Sequence, residues 1–202
     1  MSRSSYKYKK LLYHLTPLSN LENILECGLL PRNQLNSGTF DDVANADILT
    51  SRERQELGTY VPFHFFPGNP FDGCVQAMPT NQGKAFVLIT VYRALAKNGG
   101  WTVIPQHPLS EPQPEMLEYD KGIEAIDWDA MDLRDYHNAH SKSVCMAECL
   151  SPAPVKDTSF VSIFVPNEEV RDAVLTLKKA RGATFHVNTN SHMFLSTESS
   201  ST

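Results

Sequence analysis

Cysteine is scarce in these 202 residues: Cys27, Cys74, Cys145 and Cys149 are all there are, and no two form a CxxC pair. That is too few for a disulfide scaffold at this length. Excess positive charge is missing too. Eighteen Lys+Arg against 23 Asp+Glu leave a formal charge of −5, which excludes binding to nucleic acid or membrane by bulk charge, though not local basic patches. No apolar run approaches the roughly 20 residues of a membrane helix. The start, MSRSSYKYKK, runs straight into LLYHL without the apolar centre of a signal peptide. A soluble, cytoplasmic protein is expected. Also absent are a Gly-rich phosphate loop, a G-x-S-x-G elbow, an H-E-x-x-H helix and a Walker motif. With 41% hydrophobic and 20% charged residues there is enough material for a core, so disorder of the main body is excluded.

His137, His140, Cys145 and Cys149 form the one metal-like cluster. The last two lie in SVCMAECL, which reads as a strand, where residues four apart stand roughly 13 Å from each other. They are too far apart for one ion, so no metal is expected.

Elements can be placed by pattern. YHLT reads as a short strand. Ser19-Asn20-Leu21-Glu22 has capping-box spacing, Leu21, Ile24 and Leu25 form an apolar stripe, and Gly28 closes a two-turn helix. A short helix from Val43 to about Leu49 follows, then a strand at Tyr60–Phe66 ending in the turn PGNP. KAFVLITVY (84–92) is continuously apolar and reads as a strand buried on both faces. Four of thirteen prolines crowd Pro105–Pro114, an exposed loop. Helices are expected at Asp120–Ile126 and Asp129–His137, and strands at Ser143–Leu150 and Ser159–Val165. The last helix starts at the Asn167 cap, carries Glu168 and Glu169 at its positive end and Lys178, Lys179 and Arg181 at its negative end, and stops at Gly182. An edge strand can follow. Without regular βαβ alternation the fold class is α+β, one domain over 1–190 with a frayed Ser/Thr-rich tail over 191–202.

Several polar residues sit in apolar surroundings. Glu148 lies within VCMAECL, where an unpartnered buried carboxylate is costly; it is either a strand-end residue facing solvent or a buried one with a task. His14 and Thr16 alternate on one strand face, as an ordinary histidine and threonine also could. Arg52 and Arg54 suit a solvated helix face, and His107 an exposed loop.

In order, these pieces resemble one family. YHLTPLSNLENILECGLL is similar to the opening motif of the DarT-type DNA ADP-ribosyltransferases, YVPFHFFPGNPF to their VPF-aromatic-F strand and proline turn, IEAIDWDAM to their IDW segment, and MAECLSP to the strand with their catalytic glutamate. The likeness runs from Tyr13 to Val165, about three quarters of the chain. It implies the ADP-ribosyltransferase fold, a split pair of small antiparallel sheets around an NAD cleft. NAD is then the ADP-ribose donor. Glu148 becomes the carboxylate beside the ribose. His14, Thr16 and Asn20 bind the dinucleotide, Arg52 holds its phosphates and helps the transition state, and His107 handles the acceptor base. His64 and Phe71 fall at the acceptor pocket. The resemblance also implies single-stranded DNA as acceptor, and a toxin paired with a DarG-like macrodomain antitoxin. It implies no membrane. The oligomeric state is left open, a monomer being favoured.

The acceptor segment departs from thymidine-modifying members, which carry a tyrosine and an R-S-P-M turn where this chain has His64 and Gly68-Asn69-Pro70-Phe71. NPFDG is more similar to the guanine-modifying branch, so guanine is expected ahead of thymine. Three alternatives stay open: the same fold acting on RNA or protein, a non-catalytic nucleic-acid-binding module, and a cysteine hydrolase using Cys145 with His137 or His140.

Overall fold

The run of apolar residues at 86–92 forms the central strand. In the computed structural model, which describes residues 5–35, 40–43 and 56–195, this strand is β3 (Phe86–Tyr92), buried from Phe86 to Val91. On one side it pairs with β1 (Leu11–Pro17) along its whole length, and on the other with β7 (Ser162–Val165). A strand with neighbours on both edges and packing on both faces has no polar side, which is why its sequence does not alternate.

Eight strands are hydrogen-bonded in the order β5-β4-β6-β2-β1-β3-β7-β8, the others being β2 (Val61–His64), β4 (Thr102–Ile104), β5 (Leu117–Glu118), β6 (Glu148–Ser151) and β8 (His186–Thr189). The expected split is visible in the register. β1 and β3 share seven pairs and β2 and β6 four, whereas β1 and β2 share only Tyr13–His64. The sheet is thus two four-stranded halves joined at one residue pair. All pairings are antiparallel except β7–β8. That exception follows from a helix crossover, which returns the chain in the same direction.

The crossover helix matches expectation closely. It spans Glu168–Arg181, Asn167 Oδ1 accepts from Val170 N, and Gly182 ends it at φ 64°. The opening helix, α1 (Leu21–Cys27), also forms, but not through a capping box. Ser19 Oγ instead donates to Asp41, and Asn20 caps nothing with its side chain. Gly28 closes α1 at φ 87° and ψ 174°, a mirror-extended conformation reserved for glycine rather than the left-handed helical one.

Other differences have local causes. PGNP does not end in a bare turn: Asn69 and Pro70 start α2 (Pro70–Ala77), with Asn69 Oδ1 accepting from Asp72 N. An Asn N-cap followed by Pro at the first helical position is a start signal. Next come α3 (Arg93–Asn98), α4 (Tyr119–Ala125) and α5 (Trp128–Leu133). The strand expected over Ser143–Leu150 is helical in its first residues. Asn138 caps α6 (Ala139–Val144), Ser141 Oγ donates to Ala130 O, and the strand begins only at Glu148. With Glu168–Arg181 as α7, the described helices number seven.

Aromatic packing fills the core. Phe63 meets Trp101 at 5.1 Å and Phe65 meets the Trp128 edge at 5.6 Å. Arg93 is buried between Phe65 and Trp128 and donates to the carbonyls of Lys7, Leu11 and Phe65. Among the described residues no helix is long and apolar enough to cross a membrane. The expected helix at 43–49 lies, but for Val43, outside the described residues, as do 196–202 of the expected tail. Ser191–Met193 form one 3-10 turn, and Leu195 N donates to Gln76 of α2.

Candidate active site

Where β1 leaves β2, a side chain takes over the main-chain bonding: His14 Nδ1 donates to Pro62 O at 2.8 Å. Beside this seam lies a cavity of about 540 Å³ walled by both half-sheets and α1. That size is typical of small-molecule sites. His14, Thr16, Asn20, His64, Phe71 and Glu148 all line it, so six of the eight site residues implied by the family likeness come together. Arg52, with Arg54, lies outside the described residues. His107 is not on the cavity wall. Its amide donates to Ser143 Oγ, within a proline loop that leaves the sheet just after Ile104, the register neighbour of Glu148.

Glu148 opens β6 and is only 3% exposed, so the solvent-facing alternative is excluded. It stands opposite His64 on β2, and directly paired antiparallel residues share a sheet face. His64 is likewise buried; its Nδ1 donates to Ala147 O, and its ring lies 5.3 Å from Phe71.

His14 is held neutral. Burial lowers it to about 4, outweighing the upward pull of the Pro62 hydrogen bond and of Glu148, with His64 lowering it further. With Nδ1 carrying the proton, Nε2 is an acceptor across the physiological range. Thr16 is buried two residues further along β1.

Asn20, on the cavity wall, also ties down a neighbouring segment. Its amide donates to Asp41 O and accepts from Asp41 N, so both ends clamp that segment. Ser19 and Lys84 hold the Asp41 carboxylate, and Lys84 keeps it below the usual carboxylate range. Arg32, paired with Asp42, also reaches the cavity wall.

Asp72 went unnoticed in the sequence, although its place three residues after a capping Asn marks it. It is 1% exposed on the cavity wall, and its Oδ2 accepts from Asn69 Nδ2 and Gly68 N. Desolvation pushes it up to about 6, against the lowering influence of His64 and these hydrogen bonds. The folded state therefore binds this proton more tightly than the unfolded chain. Stability contributed here is present below about pH 4 and is lost as pH rises to about 6, a change on the order of 3 kcal/mol. His14 acts oppositely, weakening the fold as pH falls. Urea unfolding of native protein and Asp72→Asn at pH 4, 5, 6 and 7 separates them: the difference in stability between the two proteins changes over this range, and a constant difference refutes the assignment.

Among the described residues no group of three His, Cys, Asp or Glu is placed to hold a metal ion. Cys145 ends α6 rather than lying on a strand, and burial pushes its thiol up to about 11. A thiolate nucleophile is disfavoured there.

A buried carboxylate on the wall of a cleft between two half-sheets fits an enzyme of the ADP-ribosyltransferase fold. The chain belongs to the DarT family: the family model, described as "ssDNA thymidine ADP-ribosyltransferase, DarT", matches residues 13–195. Among solved structures, Thermus sp. 2.9 DarT in complex with ADP-ribosylated ssDNA has a TM-score of 0.83 at 20% identity, covering 96% of this chain and 100% of that one. The same protein in complex with NAD+ has a TM-score of 0.77 at 20% identity over 93% and 98%. Thermosipho africanus DarTG in complex with ADP-ribose has a TM-score of 0.71 at 21% identity, over 92% of this chain and 51% of that one. These likenesses show the shared fold. No curated protein matches the sequence.

Proposed function

We propose that this protein transfers ADP-ribose from NAD to a base of single-stranded DNA, with Glu148 as the catalytic carboxylate. The observation that carries the reading is the buried Glu148, paired across the sheet with His64, on a cavity wall that His14 and Thr16 complete. The bond from ribose C1′ to the nicotinamide nitrogen breaks and its electron pair stays with nicotinamide, which leaves neutral without an acid. The ribose carbon gains oxocarbenium character, and a carboxylate beside it stabilises that charge, as in glycoside cleavage. A base nitrogen bonds to C1′ and gives its proton to Glu148. His14 Nε2 suits a ribose hydroxyl, Thr16 the nicotinamide amide, and Asn20 positions the wall at Asp41. Arg52 is assigned to the phosphates, where a guanidinium fork fits. His107 is assigned to the loop over the acceptor.

We read the base as guanine. Glu148 presents an acceptor opposite His64, whose ring lies beside Phe71, and guanine offers adjacent N–H donors along its pairing edge, whereas thymine offers one between two carbonyls. The family description favours thymine as the second reading. Both the DNA-bound and the NAD-bound relatives support the substrates assigned here. The DarTG relative, of which this chain covers half, supports a DarG-like macrodomain antitoxin as partner to a toxin. Four single-stranded oligomers, each lacking one base, are incubated with NAD and weighed by mass spectrometry, with an RNA alongside. Modification of every DNA except the guanine-free one is expected. Failure only on the thymine-free oligomer selects thymine, and modification of RNA alone overturns the DNA reading.

A further inference from the structure

The turn Gly68–Asp72, which carries the cavity-wall residues Phe71 and Asp72, has a second face. Arg134 Nη2 donates to Gly68 O at 3.3 Å, and its guanidinium stacks over Phe66 at 5.0 Å and meets Tyr6 and Tyr136 hydroxyls. No carboxylate pairs with it among the described residues. Arg134 adopts φ 53° and ψ 37°, a left-handed conformation that disfavours any residue but glycine. Tyr6 stacks on Phe66 at 4.7 Å, and its amide donates to Asp132. This anchors Ser5–Lys10 beside the same turn. The segment displays Tyr8, 74% exposed, between Lys7 and Lys9, with Lys10 next. None of these three lysines has an ion-pair partner among the described residues, on a chain whose net charge is −5. Lys7 to Lys10 also precede the family match, which begins at Tyr13.

We infer that Lys7, Tyr8, Lys9, Lys10, Arg134 and Tyr136 form a track for the single-stranded DNA flanking the target base. This rests on the DNA-base reading above and extends it. Alternating cations and exposed rings are what an unpaired strand requires, the cations for phosphates and the rings for unstacked bases. The Gly68 turn links track to pocket: its carbonyl is held from the track side by Arg134, and its amide donates to Asp72 on the cavity wall. A nucleotide in the pocket therefore leads its neighbours over this turn. Asp132, whose carboxylate is engaged by the Tyr6 amide, borders the track.

The test is fluorescence anisotropy of a labelled single-stranded 12-mer without NAD, over a series of salt concentrations. It compares the native full chain, K7E/K9E/K10E, Tyr8→Ala, and a charge-matched control, K97E/K121E/K179E. The track triple should weaken binding at least ten-fold and flatten the slope of log affinity against log salt by about 2, since each phosphate contact on a single strand contributes about 0.7. Tyr8→Ala should weaken it roughly ten-fold without changing the slope. Equal binding by the track triple and the control overturns the track, and so does native protein that binds duplex or RNA but not single-stranded DNA. Native transfer of ADP-ribose with track variants binding normally sinks the track alone. Track-dependent binding with no transfer sinks the reaction alone.

Discussion

Glu148→Gln should retain the fold and lose at least about a hundred-fold in ADP-ribose transfer, the scale seen when a single electrostatic stabiliser of a transition state is removed. The substitution keeps the volume and one acceptor oxygen of a side chain that is 3% exposed. What disappears, on the role proposed for Glu148, is the negative charge that stabilises the ribose carbon and the site that takes the proton from the base. Loss should therefore fall on kcat, with NAD still binding, because a uniform binding contact would instead raise KM. Mass spectrometry of modified oligonucleotides and a thermal melt of the same preparation check both halves. A variant that melts like the native protein and still transfers within a few-fold of its rate would remove Glu148 from the chemistry. The proton would then have to go elsewhere, and His64, opposite it across β2 and β6, is the group placed to receive it.

Gly28→Ala is expected to damage both stability and substrate binding, from a position with no reactive group. At φ 87° and ψ 174° an alanine is strained by about 1–3 kcal/mol. Its Cβ would also come within 2.9 Å of the Val155 carbonyl oxygen, which accepts from Leu29 N while the Val155 amide donates to Leu29 O, so this residue is held in place from both its polar groups. Overpacking of this kind adds about 1–3 kcal/mol. For a chain of this size the sum lowers Tm by roughly 10 °C. Gly28 lies on the cavity wall at the end of α1, so relief of the clash shifts that wall and should raise KM for NAD several-fold. Calorimetry and a titration of rate against NAD concentration read the two effects. An unchanged Tm would show that the Leu29–Val155 bridge yields easily.

What the sequence disclosed was whatever local chemistry decides. The helix from Asn167 to Gly182 has its cap, its charge gradient and its terminator in one stretch, and 86–92 is apolar for the length of a strand. Glu148 and His14 could be singled out because polar residues are conspicuous in such runs, though only the ordered likeness to a family joined them into one site. The misreadings have long-range partners. Ser19 looks like a helix cap until Asp41, 22 residues away, takes its hydroxyl. Ser143–Leu150 is apolar enough to read as a strand, yet Ser141 is drawn to Ala130 and the first half coils. Asp72 hid inside a turn motif. Its importance comes from burial beside His64, and no local pattern encodes that.

The single residue pair at Tyr13–His64 makes the molecule resemble two book covers on a very short spine. His14 and Thr16 are printed on one cover, His64 and Glu148 on the other, and a molecule between them touches both. The angle of opening, rather than any one side chain, then sets how near the carboxylate comes to its target. Packing changes deep in either cover, far from the page edge, can retune the chemistry by tilting a whole sheet.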